Sequence, residues 1–203
     1  MVRYISVMTS STLGLFKKNG DGEHMEKIKV QLSTYNPNWE QQYAYEKNRI
    51  QEALGERIIG IEHIGSTSIK GLDAKPIIDI LVGVQKLDEM TDYVEALTLI
   101  DYEYVPKPEF ADRKFFRKGL WGQGTCHLHI CEFNSGEWIE KILFRDYLRT
   151  HPQAANEYAL LKKQLATKYQ NDRSIYTKEK EPFIRMIIDR AKIERMVKND
   201  CSY

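Results

Sequence analysis

Cysteine is scarce in this sequence, and neither sign of charge is in excess. The three cysteines, Cys126, Cys131 and Cys201, are odd in number and lack Cys-x-x-Cys spacing, which favours free thiols in a reducing compartment over a disulfide framework. Lysine and arginine together number 30, against 29 for aspartate and glutamate, whereas a general nucleic-acid binder usually has a clear basic excess. We therefore expect a cytoplasmic protein that is not a general nucleic-acid binder.

Long apolar runs are also missing. No run approaches the roughly 20 residues that cross a bilayer, and the first residues lack the small-residue cleavage site of a signal peptide. We therefore expect no association with a membrane. Residues 1–24 differ from the rest, because a polar, turn-rich stretch at 17–22 precedes a second methionine, Met25. We interpret 1–24 as a disordered leader or a start assigned too far upstream, and 25–200 as one domain.

Strand patterns dominate the first two thirds of the chain. Apolar stretches bounded by turn residues predict five strands, over 28–32, 57–64, 77–84, 114–120 and 125–133. One helix is predicted from Trp39 to Leu54, capped by Asn38 and ended by Gly55, and another over 88–100. The continuous apolar character of the third strand indicates a central position in the sheet.

The last third of the chain has a helical pattern from about 136 to 197. Pro152 suits the first turn of one helix, and Glu181-Pro182 suits the start of another. The predicted fold class is α/β of the α+β type, with a mixed sheet at about 28–133 flanked by helices. We expect the helical C-terminal extension to pack over the sheet and not to form a domain of its own.

A small-residue turn and a buried acid carry the chemical signal. The Gly65-Ser66 turn follows a strand and lets backbone N–H groups approach a phosphate, while Ser66, Thr67 and Ser68 add hydroxyl donors. Asp79 lies in an apolar strand, where a carboxylate is costly unless it is paired, hydrogen-bonded or bound to a metal. This combination predicts a site for a phosphorylated ligand.

Each half of this signal also has a purely structural interpretation. A Gly-Ser turn is often only a turn, and a strand aspartate often accepts backbone hydrogen bonds. The two features together, on either side of a strand entry, indicate a site more strongly than either alone. Lys75, which precedes the strand, is a candidate counter-ion of Asp79 or a phosphate ligand.

Ordered motifs along most of the chain resemble the GrpB-like family. The resemblance extends from about residue 29 to 193 and rests on segments 35–39 (YNPNW), 63–68 (HIGSTS), 74–79 (AKPIID), 127–129 (HLH) and 144–149 (FRDYLR), and on Tyr158, Lys162, Lys180, Phe183 and Ile184. It implies a nucleotidyltransferase-type fold. It also favours Met25 as the natural start, and similar domains occur fused to dephospho-coenzyme A kinases.

The resemblance implies a metal site that this sequence matches only in part. In the wider superfamily, an Asp-x-Asp pair and a third carboxylate on a later strand hold two divalent metals. Asp79 matches the first position, but Leu81 occupies the second and cannot bind a metal. On the later strand His127 and His129 share the face that would present an acid, and Glu132 has the opposite parity unless a bulge intervenes.

This departure leaves several possibilities open. Asp79, His127 and His129 are candidate ligands of a single divalent metal: magnesium or manganese, or zinc if the histidines bind it. Alternatively the histidines donate hydrogen bonds to a phosphate, or they are packed sheet residues. Asp79 and His129 are the candidate catalytic residues, as a metal ligand or base toward an acceptor hydroxyl.

Scattered cations are further candidate phosphate ligands. Arg117 lies in a strand with aromatic residues, Arg145 and Arg149 share one helix face, and Lys162 lies on the next helix. Most such charges are solvated or form surface ion pairs of small energetic weight. We select Gly65, Ser66, Thr67, Ser68, Lys75, Arg117, Arg145 and Lys162 as the candidate phosphate-binding residues.

The expected function is that of a nucleotidyltransferase-like protein that binds a nucleotide or phosphorylated metabolite. If its chemistry is retained, it transfers a nucleotidyl group with metal assistance. A catalytically inactive binding module is the first alternative, and Leu81 favours it. An accessory protein that binds a partner through residues 136–203 is the second.

Overall fold

The computed structural model describes residues 29–200, except 88–89 and 121–122. The predicted leader at 1–24 lies outside the described residues. Five strands form one mixed sheet in the order β1-β2-β5-β4-β3. The strands are β1 (Gly60–Ile64), β2 (Ile78–Val84), β3 (Glu103–Tyr104), β4 (Arg113–Leu120) and β5 (Gln123–Glu132). Only the β2–β5 pair is parallel; the other three pairings are antiparallel.

Helices cover both faces of the sheet. They are α1 (Asn38–Leu54), α2 (Met90–Thr98), α3 (Gly136–Thr150), α4 (Pro152–Lys168), α5 (Arg173–Lys178) and α6 (Glu181–Asp200). This architecture confirms the predicted mixed sheet with flanking helices. In the described part of the chain no helix is long and apolar enough to cross a membrane.

The main core lies between the sheet and helices α1 and α2. Alternate residues of the central strand β2, such as Ile80 and Val82, point toward Ile50 of α1 and Leu97 of α2, and all four are fully buried. Burying one such side chain contributes about 1.5–3 kcal/mol relative to leaving it exposed. This face of β2 is therefore occupied by packing, and the site must lie on the other face.

The opposite face of the sheet is covered in part by α3. Trp138 of α3 packs with Ile64, Leu81 and Cys131, which lie on three neighbouring strands. A second cluster, with Phe144 on α3 and other members on α4 and α6, packs against Ile69 and Leu72, which follow the turn after β1. Helix α3 therefore packs on the sheet, and α3, α4 and α6 pack against the segment that follows the turn after β1.

Several local predictions were wrong. Residues 29–32 are not a strand: the Val30 N–H donates to the Gln170 carbonyl at 2.7 Å, and Ser33 makes a single bridge with Ala74. Asn38 was predicted to cap α1, but the side chain that bonds the backbone there is that of Asn36. Its Oδ1 accepts a hydrogen bond from the Asn38 N–H at 3.0 Å. Strand β3 was not predicted, because two residues show no periodicity.

Candidate functional site

Gly65 brings the turn after β1 directly against Asp79. Ile64, the last residue of β1, pairs with Asp79 across the sheet. Gly65 has φ +68 and ψ −172, a backbone region that is essentially restricted to glycine. A Cβ atom added at Gly65 would lie 2.3 Å from Asp79 Oδ2. Glycine is therefore required both by the backbone conformation and by the approach of the carboxylate.

The hydroxyls of the turn are divided between internal structure and the site. Thr67 Oγ1 donates to the Ile77 carbonyl at 3.2 Å, so it must accept from His63 Nε2, which is 3.0 Å away. Ser68 Oγ donates to the Gly65 carbonyl at 2.7 Å, and its N–H donates to the same carbonyl at 3.3 Å. Of the three hydroxyls predicted to bind phosphate, those of Thr67 and Ser68 are thus engaged by internal hydrogen bonds.

His63 supports this turn from beneath. It is 6% exposed and stacks on Tyr43, with the ring centroids 4.6 Å apart. Burial lowers the pKa of His63 to about 4, against the opposing attraction of Asp79. The neutral ring that donates from Nε2 to Thr67 is therefore the form present near pH 7.

Asp79 is paired with His127 and opens into a cleft. Its Oδ1 lies 3.1 Å from His127 Nδ1, and its side chain is 30% exposed. Burial alone would raise the pKa of Asp79, but the hydrogen bond from His127 and the neighbouring positive groups outweigh it and lower the pKa. We call the surrounding depression of about 510 Å³ the Asp79 cleft; its walls include Ser66, Lys75, Asp79, His127 and Lys180.

His129 does not join Asp79 in the predicted pair. In the parallel β2–β5 register Asp79 lies beside His127, whereas His129 lies beside Leu81, two residues further along the strands. His129 Nδ1 is buried without a hydrogen-bond partner among the described residues. Burial, followed by repulsion from Lys141, lowers the pKa of His129 to about 3, so its ring is neutral. The residue that contacts Asp79 is His127.

The predicted metal site of Asp79, His127 and His129 is not assembled. Within 29–200, apart from the two short gaps, no three histidine, cysteine, aspartate or glutamate side chains lie close enough to hold a metal ion. The second acidic position of the superfamily is Leu81, which is fully buried beneath Trp138. The donor set therefore does not fit the two divalent metals that the fold implies.

Three lysines converge on the other side of the cleft. Lys162 Nζ donates to Ser66 Oγ at 3.1 Å and also to the Asp73 carbonyl. The Nζ atoms of Lys75 and Lys180 lie 4.8 Å and 4.7 Å from the centroid of the Tyr176 ring. In the described part of the chain, no carboxylate lies within ion-pair distance of these three ammonium groups.

Burial makes these lysines unusually easy to deprotonate. It lowers the pKa of Lys162 to about 7, with further repulsion from Lys180. It lowers the pKa of Lys75 to about 8, with further repulsion from Arg173 and Lys180. The pKa of Lys180 is also lowered by burial, although Asp79 partly opposes the shift. Groups of like charge held together in this way are stabilised by a bound anion.

Two arginines predicted as phosphate ligands are used elsewhere. Arg145 is buried and bonds Glu62 at 2.5 Å, Asp146 at 2.7 Å and the His63 carbonyl at 3.1 Å. Arg117 shares the strand face of the histidines, but its guanidinium bonds Glu103 Oε2 at 2.7 Å. Neither lines the Asp79 cleft. Asp146 is next to Arg145 in the sequence, but Glu62 and Glu103 are distant in the chain, and sequence patterns did not connect them to these arginines.

The other end of the cleft contains residues that sequence patterns did not single out. Phe115 lies between the two histidines, with centroid distances of 5.2 Å to His127 and 5.1 Å to His129. Arg113 stacks on Phe110 at 3.7 Å, and it forms an ion pair with a glutamate on α3. The parity of Arg113 and Phe115 on β4 would have placed them beside the histidines, had the hairpin register been known.

These elements define a class of fold: a nucleotidyltransferase-like α+β domain with a cleft beside its central strand. A chain of the solved GLD-2/RNP-8 complex superposes on it with a TM-score of 0.50 and 12% identity, over 76% of this chain and 59% of that chain. At this identity the likeness concerns the fold alone. Sequence comparison is more specific, since the profile of the GrpB protein family matches residues 29–190. The chain belongs to the GrpB family.

Individual relatives agree with this assignment. The glutamate-rich protein GrpB of Alkalihalophilus pseudofirmus is 38% identical, over 81% of this chain and 97% of its own length. The crystal structure of the conserved protein GrpB from Enterococcus faecalis has a TM-score of 0.74 and 36% identity, and the match covers 82% of this chain and 99% of that chain. YqkA of Bacillus subtilis is 38% identical over 87% of this chain, which spans 51% of YqkA. A dephospho-CoA kinase of Mycolicibacterium paratuberculosis is 24% identical, over 87% of this chain and 49% of the kinase.

Proposed function

We propose that the protein binds a nucleotide or another phosphorylated small molecule in the Asp79 cleft. The observation that carries this proposal is the convergence of Lys75, Lys162 and Lys180 on one wall of the cleft without carboxylate partners among the described residues. Burying several positively charged groups close together is energetically costly. A phosphate group would compensate all three, and Ser66 would add a hydroxyl contact.

The remaining walls suit the rest of such a ligand. Phe110 and Phe115 add aromatic surface to the cleft, and an aromatic ring can stack on a planar base. The volume of about 510 Å³ lies within the range of small-molecule sites.

Calorimetric titration tests the proposal directly. ATP, UTP, CTP, GTP and tripolyphosphate are titrated into the full chain at pH 7, with and without MgCl2, and binding in either condition counts. Lys162→Met and Lys180→Met should each weaken binding by about tenfold or more. Lys163→Met is the matched control, because Lys163 is the adjacent residue on α4, is exposed and pairs with Asp73. No binding by any ligand, or an equal loss in the control, would refute the proposal.

A second candidate function, nucleotidyl transfer, is favoured by the Asp79–His127 hydrogen bond in the same cleft. Asp79 holds Nδ1 of the ring, which leaves His127 Nε2 as the base toward an acceptor hydroxyl. The acceptor O–H bond would give its proton to Nε2 while the oxygen bonds to the α-phosphorus of a nucleoside triphosphate. The bond from that phosphorus to the bridging oxygen would break, and pyrophosphate would leave.

Turnover separates the enzyme from a binding module. Release of pyrophosphate from each nucleoside triphosphate is measured with a panel of hydroxyl-bearing acceptors. We expect His127→Gln to abolish release and to retain ATP affinity, because the glutamine keeps a polar group beside Asp79. Turnover that persists in both His127→Gln and Asp79→Asn would eliminate this mechanism.

A further inference from the structure

The Asp79 cleft contains a single acid. Among the residues that line it, Asp79 is the one carboxylate, whereas the cations include Lys75, Lys162 and Lys180. Divalent metals at nucleotide sites are held by one or two carboxylates together with the phosphates. The resemblance drawn from the sequence implies a second acid on the same strand face, and Leu81 occupies that position.

The packing around Leu81 prevents any substitute ligand from reaching that position. Leu81 has no exposed surface and lies in a cluster with Ile64, Cys131 and Trp138. Next along the same face, Gly83 packs so closely on Trp138 that an added Cβ would lie 2.8 Å from the indole ring. Helix α3 therefore covers the strand position at which the second acid of the implied metal site would lie.

One oxygen of Asp79 is already hydrogen-bonded, and the other lies close to the backbone of Gly65. Oδ1 bonds His127 Nδ1 at 3.1 Å, and Oδ2 lies against Gly65, where an added Cβ would be only 2.3 Å away. A metal ion would have to displace His127 or compete with nearby positive charge, since Lys75 and Lys180 both interact electrostatically with Asp79. The positive charge that a metal ion would supply is already provided by these lysines.

We infer that the cleft binds its phosphorylated ligand without a divalent metal, and that Lys75, Lys162 and Lys180 neutralise the phosphate charge in its place. This inference rests on the proposed binding function and reverses the metal requirement that the fold implies. It makes the free nucleotide, and not its magnesium complex, the preferred ligand. Magnesium in solution competes with the lysines for the phosphates and lowers the negative charge that they recognise.

The test compares ATP affinity in EDTA with affinity in excess MgCl2 or MnCl2. We expect affinity in EDTA to equal or exceed that in magnesium, and Lys180→Met to lose about tenfold or more in EDTA. Binding that is about tenfold tighter with either metal would overturn the inference while leaving the proposed function intact. Absence of binding by ATP, UTP, CTP, GTP and tripolyphosphate under every condition would overturn both.

An independent measurement uses the protein without nucleotide. Electron paramagnetic resonance of Mn²⁺ reports the fraction of free ion as protein is added. We expect no stoichiometric binding at Asp79, so the wild type and Asp79→Asn should give equal free Mn²⁺. Stoichiometric binding that disappears in Asp79→Asn would overturn the inference whether or not ATP binds.

Discussion

Replacing Gly65 with alanine perturbs the one backbone position on which the cleft depends. The conformation at φ +68 and ψ −172 costs a residue with a side chain about 1–3 kcal/mol. The added Cβ would lie 2.3 Å from Asp79 Oδ2 and 3.0 Å from Asp79 Cγ, and such overpacking costs about 1–3 kcal/mol more. We therefore expect Gly65→Ala to lower the free energy of unfolding by about 2–6 kcal/mol.

Gly55 provides a matched control for the backbone part of this cost. It has φ +56 and ψ −132, and an added Cβ would meet nothing within 4 Å. Gly55→Ala should therefore cost only about 1–3 kcal/mol. Urea unfolding followed by tryptophan fluorescence measures both variants, because Trp39 and Trp138 are buried. Equal destabilisation by Gly65→Ala and Gly55→Ala would refute the claimed contact with Asp79.

A double-mutant cycle isolates that contact. Asp79→Ala removes the oxygen at 2.3 Å and Cγ at 3.0 Å from the position of the added Cβ. Gly65→Ala should therefore cost less in the Asp79→Ala background than in the wild type, by about 1 kcal/mol or more. Additive effects would show that the carboxylate moves aside freely and that Gly65 is required for its backbone alone.

Three further predictions concern charge. Because the pKa values of Lys162 and Lys75 lie at about 7 and 8 and a bound anion favours the protonated amines, ATP affinity should fall about tenfold or more from pH 7 to pH 9. A flat profile in calorimetry would contradict this. Burial lowers the pKa of His63 to about 4. The neutral ring therefore contributes fully to the free energy of unfolding at pH values above about 6.5, the pKa of histidine in the unfolded chain. This contribution is lost as the pH falls toward 4. Between pH 7 and pH 5 the wild type should lose about 2 kcal/mol more than His63→Gln in urea unfolding, and equal losses would contradict the assignment. Arg145→Lys should cost about 1–3 kcal/mol of stability, since the bonds to Glu62 and Asp146 need a guanidinium, yet ATP affinity should stay within about threefold.

Much of the architecture was accessible from residue patterns. The apolar run around Asp79 identified the central strand, Gly55 ended the first helix as predicted, and Pro152 begins α4. These features depend on local periodicity and on the backbone preferences of glycine and proline, which neighbouring residues in the chain determine. A two-residue strand carries no such periodicity, which is why β3 was missed. Residues 29–32 were misassigned because their pattern is that of a strand, whereas the described segment makes only an isolated bridge at Ser33.

The site was accessible only in part. Gly65 and Asp79 were predicted as site residues from their residue types and positions in the sequence, and the structure places them in contact. Asp79, His127 and His129 were predicted as ligands of one metal, because strand parity gives both histidines the same face; the β2–β5 register decides that His127 lies beside Asp79. Arg145 was predicted as a phosphate ligand because sequence patterns do not show that Glu62, 83 residues away in the chain, bonds its guanidinium.

The sequence by itself determined the fold class, the family and the identity of the turn and the acid, because these follow from local pattern and ordered motifs. Tertiary structure alone decided that His127 bonds Asp79, that Trp138 seals Leu81 away, and that Lys180 lies with Lys75 and Lys162 around one cleft. The physical reason is that hydrogen bonds and electrostatic interactions depend on distances of a few ångströms. Strand register and helix packing set those distances between residues far apart in the chain.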